Sequence, residues 1–339
     1  MKARLRHIYY KYIAPRALVL MYHRVAEPES DVWEVAVSPD NFEQQLQVLK
    51  QSYHVVPLKE MVERLKKGVV ERNTIAITFD DGYVDNYQKA KPLLKKYSLP
   101  ATFFITSGNV GQQKEFWWDE LEHLMLFSES LPAVMDMEIA GAGIAYNLEE
   151  EAQLTQTLRQ QHKAWKACEQ KPPSKRSTLF YRLWEKLKPL PASEQQAALQ
   201  KIRDWAGAAA TGRPGCRSMS KEELKELGQE ALFDLGGHTV SHAALAFHAA
   251  QLQEKEIREN RTFLQDIAPN KIDLLTYPYG NYNNETMAIA EKVAFEAAFT
   301  TEEKAVTRNA NRYRLGRFQV KNIAAPEFKK QLQLWKYSI

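Results

Sequence analysis

Apolar residues along this chain come in short β-branched or aromatic runs, separated by stretches in which they recur every three or four positions. The run Ala17 to Tyr22 reads as a strand, and Ser38-Pro39 then supplies an N-cap and first helical position for Phe42, Leu46 and Leu49 at helical spacing. Tyr53 to Val56 predicts a second strand, and Leu58 to Lys67 a helix stopped at Gly68. Thr74 to Phe79 is the third strand and Ala101 to Thr106 the fourth. Between them Asn86 to Tyr97 is a helix in which Pro92 predicts a kink or a late start. The alternation resumes at Ser220, which caps a helix through Leu227. Strand Phe233 to Gly236, helix Ala249 to Gln265, strand Leu274 to Tyr277, helix Asn284 to Glu296 and strand Ala297 to Thr300 follow. A strand near Phe318 to Lys321 and a helix from Pro326 to Trp335 close the pattern. Some seven or eight βα units in succession imply a parallel sheet, here expected to curl into a barrel.

The two halves of this alternation are separated by residues 108–217, whose pattern differs. Phe116-Trp117-Trp118-Asp119-Glu120-Leu121 opens a helix. Val134 to Ala140 and Ile144 to Leu148, joined by Gly141-Ala142-Gly143, read as a β-hairpin. Glu149 to Trp205 is helical with breaks at Pro172-Pro173 and from Pro189 to Pro191, and Gly207 to Gly215 is a return loop. The expected organisation is a basic arm at 1–16, a barrel built from 17–107 and 218–323, a mostly helical insertion at 108–217 and a closing helix at 324–339. A length of 339 residues suits one large domain with such an insertion.

Charge changes this picture only at one end. A net charge of +4 is too slight to argue for a nucleic-acid partner, and the excess is local: Lys2, Arg4, Arg6, Lys11, Arg16 and Arg24 all precede the first acidic residue, Glu27. With Tyr9, Tyr10 and Tyr12 among the cations, the arm is expected to be a solvated tail; peripheral contact with an anionic membrane or a phosphate-bearing partner is the alternative. Ala17 to Tyr22 is too short for a secretory or membrane-spanning segment, so a cytoplasmic protein is expected, with peripheral membrane contact through the arm as the further option. Cys168 and Cys216 lack metal-site spacing and are expected to stay reduced.

The candidate chemistry lies at strand ends. The third strand runs into Asp80-Asp81-Gly82, and two adjacent carboxylates at a strand tip call for a cation or a shared proton. The plainer alternative is a turn in which Asp81 or Asp85 caps the next helix. His238 and His242 end another strand; at i and i+4 they share one face if the segment makes a helical turn, and so present two imidazoles to one metal ion. Tyr277-Pro278-Tyr279-Gly280 ends a third strand and His23 the first, and in parallel βα folds such ends share the rim that carries the site. Two histidines and one carboxylate leave coordination positions open, as in catalytic zinc sites, and leave the second carboxylate for proton transfer. That set describes metal-assisted hydrolysis of a carbonyl compound. A phosphoaspartate switch would need a further aspartate where the histidine pair stands.

In this order and at strand ends, TFDDG, HTVSH and YPYG resemble the motifs of the polysaccharide deacetylases, the NodB-type group of carbohydrate esterase family 4, over roughly residues 17–106 and 218–323. FWWDEL is similar to a segment of deacetylases associated with exopolysaccharide synthesis. The resemblance implies a distorted (β/α)7–8 barrel. It also implies Asp80 as general base, and Asp81, His238 and His242 as ligands of one divalent metal, zinc first, with cobalt, nickel, manganese or iron as alternatives. Tyr279 falls where the family offers a backbone N–H to the oxyanion, with Pro278 beside it as a substrate contact. Trp117 and Trp118 are candidates for stacking on a sugar ring, against a role in the core. Two departures stand out: Thr276 occupies the place of the arginine that orients the base, and no histidine follows His248 to serve as the usual acid. Members without that histidine often carry a Tyr-His pair at the first strand, as Tyr22-His23 here, so His23 is the expected acid. The implied reaction removes N-acetyl groups from an amino-sugar glycan, or from its lipid- or nucleotide-linked precursor, in exopolysaccharide synthesis or modification. The alternative is a degenerate relative that binds glycan without turnover.

Overall fold

The run Ala17–Tyr22 becomes strand β1 of the computed structural model, which describes residues 15–209 and 212–338. Before the interruption follow β2 (Arg24–Val25), β3 (Ala36–Val37), β4 (His54–Val55), β5 (Thr74–Phe79) and β6 (Ala101–Ile105). Strands β7 (Val134–Ile139) and β8 (Ala142–Asn147) lie within it. After it come β9 (Phe233–Gly237), β10 (Leu274–Thr276), β11 (Ala297–Phe299) and β12 (Phe318–Gln319). The chain divides into two units. One takes in the described residues of Met1–Glu27, Val35–Val110 and Met219–Ile339, the other Pro28–Glu34 and the described residues of Gly111–Ser218.

In the first unit the sheet runs β11-β10-β9-β6-β5-β1-β12, with parallel pairing throughout and β4 beside the start of β5. Strands β1 and β5 pair over their whole length, from Ala17 opposite Thr74 to Tyr22 opposite Phe79, and are buried at every position. Burial on both faces is why they read as unbroken apolar runs and not as an alternation. The two ends of the sheet meet through the segment before β12. Leu315 donates its N–H to Ala298 O (3.0 Å) and accepts from Thr300 N–H (2.8 Å), forming a parallel bridge with Phe299. The result is the expected distorted barrel. On its helix-covered face Phe79 stacks between Tyr22 and Phe103, with ring centroids 5.3 and 4.9 Å away, and meets Phe42 edge-on at 5.8 Å.

Local signals explain the helices. Ser38 caps Pro39–Ser52 by accepting from Asn41 N–H, Ser220 and Glu223 form a capping box on Lys221–Gln229, and Gly68 ends Leu58–Lys66 at φ 69°. The proline-bearing segment divides as its sequence requires: a π-helical turn over Asn86–Ala90 precedes the α-helix Lys91–Tyr97, in which Pro92 sits in the first turn. The closing helix Ala325–Trp335 buries Phe328, Leu332 and Trp335, and Trp335 stacks on Phe318 at 4.9 Å. Of the basic arm, Lys2, Arg4, Arg6, Lys11 and the three tyrosines lie outside the described residues. Arg24 is no part of a solvated tail. It is buried in an ion pair with Asp85 (3.0 Å), and Arg16 donates to Lys336 O (2.7 Å). Among the described residues no helix is long and apolar enough to cross a membrane.

In the second unit β7 and β8 form the antiparallel hairpin, turning at Ala140 and Gly141 with φ 50° and 76°. Four α-helices, Trp117–Phe127, Gln156–Ala164, Lys175–Leu187 and Ala192–Ala206, accompany it. Pro28–Glu34 belongs here and not to the barrel segment in which the sequence reading placed it: Ala167 N–H donates to Val32 O (2.9 Å), and Trp33 packs on Trp184 with centroids 4.5 Å apart. Trp117 and Trp118 are only 4 % and 8 % exposed. Trp118 stacks on Phe116 at 4.6 Å and meets the edge of Trp117 at 5.8 Å. Neither ring offers an open face to a sugar, which corrects the expectation of stacking: both are core residues of this unit.

Candidate metal centre

The chain leaves β5 under tight local control. Asp80 N–H donates to Tyr22 O (2.9 Å), extending the β1–β5 pairing by one bond, and then Asp81 and Gly82 turn through φ 72° and 87°. A Cβ at position 82 would lie 3.0 Å from Ile105 Cδ1, so glycine suits both the angle and the space. The two adjacent carboxylates find different partners. Asp80 receives a bidentate pair from Arg317, Nη1 to Oδ1 at 2.7 Å and Nη2 to Oδ2 at 2.6 Å. Burial by itself would push the Asp80 pKa up. The charge of Arg317, with His238, the Arg317 hydrogen bonds and His23, outweighs burial and holds it below the usual carboxylate range.

Arg317 is fully buried, and its remaining donors go to Thr300 O (3.1 Å) and Thr78 Oγ1 (3.3 Å). It fills the need left by Thr276. The carboxylate expected to act as base is held by an arginine after all, one that precedes β12 and is not near the proline of YPYG. Sequence reasoning missed it, although a charged residue within Leu315-Gly316-Arg317-Phe318 was a signal, since a buried arginine needs acceptors for its donors.

His238 and His242 follow β9, but not on a helical turn. The segment is irregular, with Thr239 at φ 61° and His242 at φ 59°. What aligns the His238 ring is hydrogen bonding. His238 Nδ1 lies 3.0 Å from Thr276 O and 2.5 Å from Thr276 Oγ1; a proton on Nδ1 satisfies the carbonyl and leaves Nε2 as the lone-pair nitrogen. Thr276 therefore serves the histidine side of the site. The Nε2 atoms of His238 and His242 stand 3.4 and 3.2 Å from Asp81 Oδ1, all three residues are buried, and one donor atom from each lies within 4.8 Å of the others.

This set fits a divalent ion. Donors about 2.0–2.1 Å from a tetrahedral zinc are separated by about 3.3–3.4 Å, close to the spacings around Asp81. Asp81 Oδ1 is buried with no hydrogen-bond partner, an orphan that a cation would satisfy. Burial would raise the Asp81 pKa, but the neighbouring His238, His242 and His23 outweigh it and keep the carboxyl well below its usual range. Burial dominates for His242 and lowers its pKa despite the pull of Asp81, which favours the neutral imidazole that ligates metals.

Two further expectations fall on the same rim. Tyr279 adopts a left-handed backbone (φ 58°, ψ 8°) after the buried Pro278, and its ring meets His242 edge-on at 4.4 Å. His23, half-buried just after β1, accepts from Asn86 Nδ2 through its carbonyl (2.8 Å), and it helps to lower the pKa of both Asp80 and Asp81. Its Nδ1 is buried without a hydrogen-bond partner.

Comparisons with known proteins point the same way. The family model described as polysaccharide deacetylase matches residues 67–139 and 192–298, just over half of the chain. Among curated proteins, the putative polysaccharide deacetylase YxkH of Bacillus subtilis is 22 % identical over 306 residues, 89 % of this chain and 70 % of that protein. The poly-β-1,6-N-acetyl-D-glucosamine N-deacetylase of Staphylococcus epidermidis is 22 % identical over 335 residues, 93 % of this chain and 82 % of that protein. Among solved structures, the Streptococcus pyogenes deacetylase PplD in complex with acetate aligns at a TM-score of 0.57 and 20 % identity, covering 94 % of this chain and 98 % of that one. IcaB from Ammonifex degensii aligns at 0.57 and 19 %, covering 96 % and 98 %. At these identities the structural likenesses establish the fold.

Proposed function

The chain belongs to the polysaccharide deacetylase family, and on that basis we propose that it hydrolyses N-acetyl groups on an amino-sugar polymer. Poly-β-1,6-N-acetylglucosamine is the first candidate because relatives matched over most of their length are named for that activity. The observation that carries the reading is the convergence of Asp81, His238 and His242 on one buried point, beside a second carboxylate already held by Arg317. A divalent ion bound there, zinc first for two imidazoles and a carboxylate, would supply Lewis acidity toward the amide carbonyl and water.

The chain's own groups do the rest. Asp80, kept ionised and fixed in rotamer by Arg317, accepts the proton of the attacking water. Tyr279, a left-handed residue beside His242, offers its N–H to the developing oxyanion in this reading, a contact of the kind worth roughly 3–4 kcal/mol in acyl transfer. His23 donates a proton to the departing nitrogen, so the products are acetate and a free amine.

The test is release of acetate and free amine from β-1,6-linked and β-1,4-linked N-acetylglucosamine oligomers, from lipid- and nucleotide-linked N-acetylglucosamine, and from an O-acetylated sugar. Turnover of an N-acetylated oligomer is expected, and turnover confined to O-acetyl esters or to the linked monomers would sink the reading.

A further inference from the structure

The helix Ala250–Gln265 buries three polar residues, Gln253, Glu256 and Asn260, on the face that also buries Ile257 and Leu264. Gln253 has an ordinary structural role, donating to His248 O (2.8 Å) and accepting from Thr286 Oγ1 (2.6 Å). Glu256 and Asn260, one turn apart, both reach the loop that carries His238 and His242. Glu256 Oε2 accepts from Val240 N–H (2.9 Å) and Ser241 N–H (2.8 Å), and its Oε1 accepts from Ser241 Oγ (2.8 Å). Asn260 Oδ1 accepts from His238 N–H (3.2 Å), while its Nδ2 donates to Thr239 O (2.6 Å) and Ile105 O (2.9 Å). Two carbonyls facing one amide group require nitrogen there, so the orientation of the Asn260 amide is fixed by its neighbours.

These contacts tie the loop to a second structure. Ile105 ends β6, and the next residues grip both sides of the site: Thr106 N–H donates to Asp81 O (3.2 Å), Ser107 N–H to Thr239 O (3.2 Å) and Gly108 N–H to Val240 O (2.7 Å). The approach at Gly108 is close enough that a Cβ there would lie 2.6 Å from Val240 O. The backbone so clamped is unfavourable by itself, because Asp81, Thr239 and His242 all have positive φ. Such residues cost of order 1–3 kcal/mol each and persist only where the surroundings over-determine them.

We propose that Glu256 and Asn260 are positioning residues for the metal centre: they hold the loop in its left-handed turns so that both imidazoles meet Asp81, and thereby set the metal affinity of the site. Neither touches a ligand side chain, and both act through backbone. The inference rests on the reading of Asp81, His238 and His242 as metal ligands. Removal of such supporting contacts typically weakens metal binding by about 10–100-fold.

The experiment measures zinc affinity of the full chain by competition with a chromogenic chelator, the visible spectrum of the cobalt-substituted protein, and the melting temperature of the metal-free form. Asn260→Ala and Asn260→Asp should each weaken zinc binding by about 10–100-fold and alter the cobalt spectrum. Asn260→Asp should be the worse, because it sets a carboxylate against the carbonyls of Ile105 and Thr239. Glu256→Gln keeps the shape and an acceptor and should lose less than Glu256→Ala. Wild-type affinity and spectrum in folded Glu256→Gln and Asn260→Asp would overturn the proposal, as would a lowered metal-free melting temperature with zinc affinity unchanged. If the wild type binds no zinc, the reading of the three ligands fails first and the inference falls with it.

Discussion

Each unit buries one arginine completely, and the two are satisfied in opposite ways. Arg176, in the inserted unit, gives its side-chain donors to the backbone carbonyls of Glu151, Ser128, Ala152 and Met125. Arg317, in the barrel, gives two of its donors to the carboxylate of Asp80. The histidines divide in the same way. His162 of the inserted unit uses both ring nitrogens, Nδ1 on Leu126 O and Nε2 on Ser174 Oγ, each at 2.8 Å. His238 uses only Nδ1 in this way and turns Nε2, like His242, toward one oxygen of Asp81. Where every donor and acceptor is used up by backbone, the buried polar group is scaffold. Where polar atoms from distant strands are left aimed at a common point, it is chemistry.

The largest effect that would break this contrast is at the ligands. His242→Ala should lose bound divalent metal and bring deacetylation to background while the fold is kept, as measured by metal analysis, acetate release and circular dichroism. Retention of one tightly bound metal per chain would place the site elsewhere. The arginines come next. Arg317→Met leaves Asp80 buried and uncompensated, which should cost about 3–5 kcal/mol of stability. It should also lower kcat by about 10²–10⁴, as for loss of a working base. Arg176→Met orphans carbonyls at about 1–3 kcal/mol each. It should therefore lower the melting temperature while leaving kcat of the folded protein unchanged; a comparable kcat loss in both variants would erase the distinction between the units.

A finer test concerns His23. His23→Ala should keep its metal and lose amide turnover by about 10²–10⁴, yet spare hydrolysis of an activated acetate ester, whose leaving group needs no proton. Equal losses on both substrates would make His23 a structural residue beneath the site. The smallest effect belongs to the inserted unit. Burial pushes the His162 pKa down to about 4, against the hydrogen bond that Nδ1–H donates to Leu126 O. The unfolded chain therefore binds more protons than the folded one between about pH 6.5 and 4, and stability falls as pH drops through that window. His162→Asn should flatten this part of the melting-temperature profile; an unchanged slope would mean that other groups set it.

How much of this was legible depended on distance along the chain. The strands were readable because burial on both faces leaves unbroken apolar runs, and Asp80-Asp81 and the histidine pair because polar groups end such runs. The pair's i, i+4 spacing pointed to the right residues for the wrong reason, since the backbone is an irregular loop with two left-handed residues and not a helical turn. Arg317 was not found because its partner lies 237 positions away, and local periodicity carries no trace of such a pairing. Glu256 and Asn260 were hidden in a helix rich in charge, where residue type alone does not separate a buried polar group from a solvated one. Pro28–Glu34 is too short and irregular to announce that it packs with the insertion.

The most direct measurement of the central claim is metal dependence with stoichiometry. Purified protein is stripped with chelator, assayed for acetate release from an N-acetylglucosamine oligomer, and titrated with zinc. The account predicts loss of activity on stripping and full recovery at one equivalent per chain. Undiminished turnover by protein holding far less than one metal per chain would contradict it.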